Sequence, residues 1–219
     1  MLLLGLVHAA TIMLQIMSEE ELKPAVAERW KKLSHIPAVR RGLEALKSLK
    51  SDFKYHSCDH TLDVVHEALL FSLQDRLDDR KIELLIIAAV YHDSGFLIDS
   101  NDNEQIGAAL AARAMVDSYT VEEIEEVRVA ILDTVIVREG NSTKQKPVSQ
   151  LGRYLCDADT SNLGRADFLD KAELVRLEKN ILAPKFCKML PDFLAVHEWH
   201  TPAAKLFRTA GKLLNIARL

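Results

Sequence analysis

Residues Ile82 to Tyr91 read IELLIIAAVY, and the two that follow are His92 and Asp93. A helix apolar on nearly every side must be buried, so other elements have to wrap around it. Those elements are expected to be helical as well. Helical spacing of apolar residues recurs almost throughout, and no period-two alternation lasts more than a few residues. Eight glycines and six prolines among 219 residues leave little turn chemistry for a many-stranded sandwich or barrel. With 48% hydrophobic and 27% charged residues, the chain has material for one core. The expected fold class is all-α, a single-domain bundle of about eight or nine helices over residues 18–219.

The helices are expected at about Glu19 to Leu33, Pro37 to Leu49, His56 to Leu73, Asp79 to Asp93, Glu104 to Ser118, Val121 to Val137, Val148 to Asp159, Ala166 to Lys179 and Pro191 to Arg218. Two starts carry capping boxes, Ser18 with Glu21 and Thr120 with Glu123. Gly95 is expected to stop the Asp79 helix as a left-handed cap, and Pro147 and Pro191 sit where helices can begin. The stretches 97–103 and 139–146 are polar and Gly/Asn-bearing, as surface loops are.

Lys and Arg number 28 against 32 Asp and Glu, a formal charge of −4. No global positive field exists to hold a nucleic-acid backbone, so a small ligand is expected and nucleic acid is not. Cys58, Cys156 and Cys187 are odd in number and form no CxxC pair, which suits a reducing, cytoplasmic setting. The apolar stretch 1–17 lacks the Lys or Arg that opens a signal peptide and is short for a membrane span. It reads as an extension, an extra packed helix or an anchor, and no membrane partner is expected unless it is the last.

The chemistry-bearing residues fall in three places. His56, His60, Val64, Ala68 and Phe71 follow helical spacing, which puts two imidazoles on the stripe that faces the core, while His66 falls off it. His92-Asp93 emerges from the buried helix, and an aspartate there calls for a cation or a dense hydrogen-bond network. Asp157 and Asp159 lie two positions apart, so a regular helix aims only one of them inward. The apolar stripe through Leu151, Tyr154, Leu155 and Ala158 lies slightly nearer Asp159, while the spacing also suits two solvated carboxylates.

Taken in order, His60, His92-Asp93 and Asp159 resemble the H...HD...D pattern of the HD-domain superfamily of metal-dependent phosphohydrolases. Tyr55 to Val64, YHSCDHTLDV, is similar to the YHxxxHxxDV pattern of its cyclic-nucleotide phosphodiesterase branch, and Ala158 to Asn162, ADTSN, to that branch's ADLSN segment. That register supports Asp159 over Asp157. The match spans about Tyr55 to Gly164, and the C-terminal stretch from His197 resembles the closing helix of small bacterial-type members.

The resemblance implies an HD-type helical bundle in which His60, His92, Asp93 and Asp159 bind one divalent ion, whether Mn, Fe, Co, Zn or Mg. It implies cleavage of a phosphoester, mono- or diester, of a nucleotide or related small phosphorylated metabolite by a metal-activated water. His56 would protonate the leaving oxygen, and Asp93 or Asp157 would accept the water's proton. Asp157 and Glu104 stand as outer partners or alternative ligands, Lys54 and Arg165 as phosphate contacts, with Arg138 a weaker one. Phe96 occupies the place of one of the further histidines that two-metal members carry, and Asp102-Asn103-Glu104 lies where many small members have a His-Glu pair, so one ion is implied rather than two. The chain is too short for a full phosphodiesterase catalytic domain, so cyclic-nucleotide specificity does not carry over. The rival reading is a nucleotide-binding or regulatory module of the same fold that holds a metal without turnover; a homodimer is compatible with either.

Overall fold

Helix α4, Asp79–Tyr91, is the axis of the molecule: Ile82 and every residue from Leu84 to Tyr91 are buried. The computed structural model describes residues 16–49, 52–139 and 142–219. The first fifteen residues, which hold most of the expected N-terminal extension, lie outside the described residues. Around α4 pack α2 (Pro37–Leu46), α3 (Cys58–Gln74), α5 (Asn103–Met115), α6 (Val121–Leu132) and α7 (Gln150–Asp159). Helix α1 (Glu19–Leu33) lies on α3, and α8 (Phe168–Glu178), α9 (Ala183–Val196) and α10 (Pro202–Arg218) complete the chain. The fold is all-α and forms one domain, with ten α-helices among the described residues. No helix among them is long and apolar enough to cross a membrane.

Both capping boxes form, with Ser18 and Thr120 accepting from the backbone of Glu21 and Glu123. Other boundaries differ from expectation, each for an identifiable reason. The Ser57 side chain accepts from His60 N at 3.3 Å and starts α3 at Cys58, so His56 lies ahead of the helix. The chain leaves α4 through a 3-10 turn, Ser94–Leu97. Gly95 is not a left-handed cap; it is needed because a Cβ there would stand 2.0 Å from the Asn103 carbonyl oxygen. Helix α6 ends at Leu132, five residues early. The Asp133 carboxylate is taken by Val148 N, Ser149 N and the Ser149 hydroxyl at 2.7–3.1 Å, which folds the chain back. Part of the expected loop is then a hairpin, β1 (Ile136–Glu139) antiparallel to β2 (Ser142–Gln145), with Ile136 opposite Gln145.

Pro191 lies inside α9 rather than at a helix start. Helix α9 opens at Ala183 with Pro184 in its first turn, and the break falls at 197–201, where the Thr201 hydroxyl accepts from Ala204 N and Pro202 begins α10. The first and last helices meet through an ion pair that is buried on the α10 side. Arg208 on α10 donates to Glu67 Oε2 at 2.6 Å and to Glu19 Oε1 at 2.7 Å, and its Nε reaches the Ser161 hydroxyl at 2.9 Å.

Candidate metal centre

Four side chains converge where α3, α4 and α7 meet. His60 sits in the first turn of α3, His92 at the C-terminal cap of α4, and Asp159 at the last position of α7. Adjacent residues of a continuing helix point about 100° apart. Asp93 escapes that constraint because its backbone (φ −106°, ψ 7°) has already left the helix. Its carboxylate turns back beside the His92 ring.

Asp93 Oδ2 lies 3.1 Å from His92 Nε2 and 3.4 Å from His60 Nε2. Asp159 Oδ1 lies 3.2 Å from His60 Nε2 and 3.7 Å from His92 Nε2. One donor atom each of His60, His92 and Asp93 lie within 4.8 Å of one another, and all three residues are buried. Asp159 keeps 19% of its side chain exposed, so the cluster opens to solvent on that side.

The His92 ring settles its own tautomer. Nδ1 donates to the Ala89 carbonyl at 2.7 Å, which leaves Nε2 with a lone pair rather than a proton in the neutral ring. In the neutral ring that lone pair and Asp93 Oδ2 face each other at 3.1 Å, buried, with no proton between them. Two acceptors in such a position are costly unless a cation lies between them. Imidazole nitrogen with carboxylate oxygen is a donor set that many divalent metals accept. The cluster can therefore hold a metal ion.

The charges respond to each other strongly. Burial disfavours a charged His92, but the Asp93 carboxylate outweighs it and raises the imidazole to about 9. Burial likewise works to raise both carboxyls, and His92 beside Asp93 and the His60 contact at Asp159 overcome it, holding both below the usual range. A positive charge is wanted here, and an imidazolium proton or a metal ion would supply it.

His56 approaches from the turn before α3. Its Nδ1 bonds Glu178 on α8, whose Oε2 also accepts from Tyr55 N at 2.8 Å and His56 N at 3.0 Å. The ring stacks on Phe96 at 4.4 Å, and its centroid is 6.0 Å from that of His60. Burial opposes the charged imidazole, yet Asp93 and Glu178 raise its pKa. Burial would raise Glu178, but the His56 bond brings it down to about 2. Phe96, where a further histidine was sought, is thus the wall against which His56 rests.

The outer oxygens are also engaged. Asn103 Nδ2 donates to Asp93 Oδ1 at 3.0 Å and to the His92 carbonyl at 3.2 Å. Gln145 Nε2 on β2 donates to Asp159 Oδ2 at 2.9 Å and to the Thr134 carbonyl at 3.0 Å. Gln145 and Glu178 did not stand out in the sequence, and Asn103 did so only within Asp102-Asn103-Glu104, not as a partner of Asp93. All three are ordinary polar residues whose partners come from other elements.

The remaining candidates lie elsewhere. Asp157 is not with the cluster: its carboxylate accepts from His200 N, Thr201 N and the Thr201 hydroxyl, and joins α7 to the start of α10. Burial pushes it up to about 6. Glu104 is half-buried in the first turn of α5, where Asn103 takes the outer contact instead. Arg165 is gripped by Asp167 at 2.6 Å, Asp63 at 3.2 Å and Glu67 at 3.4 Å, so its charge is already matched inside the fold. Lys54 is exposed two residues before His56, and Arg138 is exposed on β1.

Beyond Asp159, a cavity of about 330 Å³ lies between the hairpin and residues 193–200, with Lys144, Gln145, Thr160, Phe193, His197 and His200 in its wall. The Thr160 hydroxyl donates to the Cys156 carbonyl at 2.7 Å, so His197 Nε2, 3.0 Å away, must be the donor to it. His197 Nδ1 is then bare and faces Lys212 Nζ at 3.3 Å. Burial and that ammonium bring His197 down to about 3. The chain matches no protein-family model and no curated protein sequence.

Proposed function

We propose that this protein is a metal-dependent phosphohydrolase of the HD type, acting on a phosphoester of a nucleotide or a related small metabolite, with His60, His92, Asp93 and Asp159 as ligands of one divalent ion. The observation that carries the reading is the buried cluster of His60, His92 and Asp93, with donor atoms within 4.8 Å of one another and Asp159 Oδ1 3.2 Å from His60 Nε2. When bound, such an ion acts as a Lewis acid toward a phosphoryl oxygen and lowers the pKa of a water.

The protein's own groups supply the rest. His56 has Nδ1 committed to Glu178, which leaves Nε2 for the leaving oxygen. The neighbouring carboxylates favour its protonated form, so it holds a proton to donate. Phe96 fixes the ring plane by stacking, and Tyr55 lies 4.4 Å from the His60 ring on the same side. The substrate enters on the side where Asp159 remains open. The thiols of Cys58, Cys156 and Cys187 are all free, which accords with a cytoplasmic enzyme.

The test is elemental analysis of the purified protein, followed by assay of phosphomonoesters and diesters with Mn, Co and Mg. About one equivalent of metal and turnover that is lost in His92→Ala and reduced at least 100-fold in His56→Ala are expected. A protein that takes up no metal and cleaves none of these esters overturns the proposal.

A further inference from the structure

We propose that Gln145 is a positioning residue for the metal centre, holding Asp159 so that one carboxylate oxygen, Oδ1, faces the imidazoles, and that the hairpin exists at this point of the fold to deliver it. The inference rests on the metal reading above and deepens it.

The two carboxylates of the cluster are held alike. Each has one oxygen toward His60 and His92 and the other tied by a side-chain amide: Asp93 Oδ1 by Asn103, Asp159 Oδ2 by Gln145. Asn103 is buried, and both ends of its amide are used, since its Oδ1 also accepts from Phe96 N at 3.1 Å. Gln145 is half-buried on β2, and its Nε2 bridges Asp159 to the Thr134 carbonyl just past α6. That bridge fixes the amide from the far side, so it meets Asp159 in one orientation.

The need for such a device follows from the position of Asp159. It is the most exposed of the four cluster side chains, 19% against 9% or less for the other three. A carboxylate at the open edge can rotate and present both oxygens to a cation, using up a position that a water or substrate requires. Holding the outer oxygen prevents that rotation. Partners of this kind change metal affinity by about 10- to 100-fold when removed.

The experiment compares wild type, Gln145→Leu, Gln145→Met and Lys144→Ala. Gln145→Met keeps the length and removes the donor without adding charge; Lys144 lines the cavity and takes no part in the cluster. Each metal-free protein is checked by thermal melting, then titrated with Co²⁺ alone while the visible spectrum is recorded. Both Gln145 variants are expected to raise the apparent Kd about tenfold or more and to alter the shape of the cobalt bands, with Lys144→Ala matching wild type. If one Gln145 variant fails to fold, the other decides. Folded Gln145 variants whose cobalt spectrum matches wild type overturn the inference and leave the metal reading standing. A wild-type protein that binds no Co²⁺ removes both.

Discussion

Glu178 and His56 are separated by 122 positions in the chain and share a hydrogen bond at the rim of the His60–His92–Asp93 cluster. The Glu178 side chain is only 5% exposed, and the backbone amides of Tyr55 and His56 also point at it. One carboxylate therefore fixes both the ring of His56 and the turn that carries it.

That arrangement makes a prediction about acid. Glu178 lies at about 2 in the fold against an ordinary value of 4.5. A carboxylate lowered by folding stabilises the native state above its unfolded pKa, and that contribution is lost as pH falls through the folded one. Urea denaturation should show a loss of at most about 3 kcal/mol from this group between pH 4.5 and pH 2. Glu178→Gln should be less stable at pH 7 and flatter across that window; an unchanged slope would exclude the group.

Arg165→Met separates a structural role from a substrate contact. Its partners Asp63, Glu67 and Asp167 would be left as an unbalanced acidic group. Partial exposure softens the penalty, so a loss of about 1–3 kcal/mol is expected in urea denaturation. KM for any phosphoester should stay within about twofold of wild type, which is less than about 0.5 kcal/mol. A large rise in KM without loss of stability would restore Arg165 as a phosphate ligand.

Gly95→Ala should damage the cluster from outside it. The added methyl would meet the Asn103 carbonyl oxygen at 2.0 Å, and backbone cannot give way as a flexible side chain does. A cost of about 1–3 kcal/mol is expected. Because Asn103 holds Asp93, weaker Co²⁺ binding should accompany it; urea denaturation of the variant measures the first effect and calorimetric titration with Co²⁺ the second.

His197 should remain neutral where ordinary histidines titrate. An imidazole lowered to about 3 takes up its proton later than in the unfolded chain, whose value is 6.5. Between those values the unfolded state binds more protons, so stability from this site falls as pH falls from 6.5 toward 3. The NMR signal of the His197 ring should not move between pH 8 and pH 5, and Lys212→Met should shift its titration upward. A midpoint near 6.5 in the wild type would contradict the burial of the ring beside Lys212.

Most of the helical skeleton was legible because its signals are local. Ser18 with Glu21 and Thr120 with Glu123 begin helices where the capping pattern says they should. The apolar run before His92 is buried as its composition requires, and His60, His92, Asp93 and Asp159 are within reach of one another. What escaped was decided at a distance. The hairpin forms because Asp133 is captured by Val148 and Ser149, and Gln145 has no neighbour in sequence to betray its bond to Asp159. Asp157 and Asp159 have the same spacing to their neighbours; what separates them is that the turn before α10 presents amide donors to one and not the other. Pro191 misled for another reason: proline disfavours a helix interior, yet α9 runs through it from Ala183 to Val196.

The Arg208 contacts with Glu67 and Glu19 bear on how the molecule comes apart. Losing α10 would leave Glu67 with only the 3.4 Å contact to Arg165, whereas peeling α1 away would take one carboxylate from an Arg208 that still holds Glu67. The last helix therefore cannot fray at low cost and the first can, so hydrogen exchange in α10 should follow global opening while that in α1 runs ahead of it.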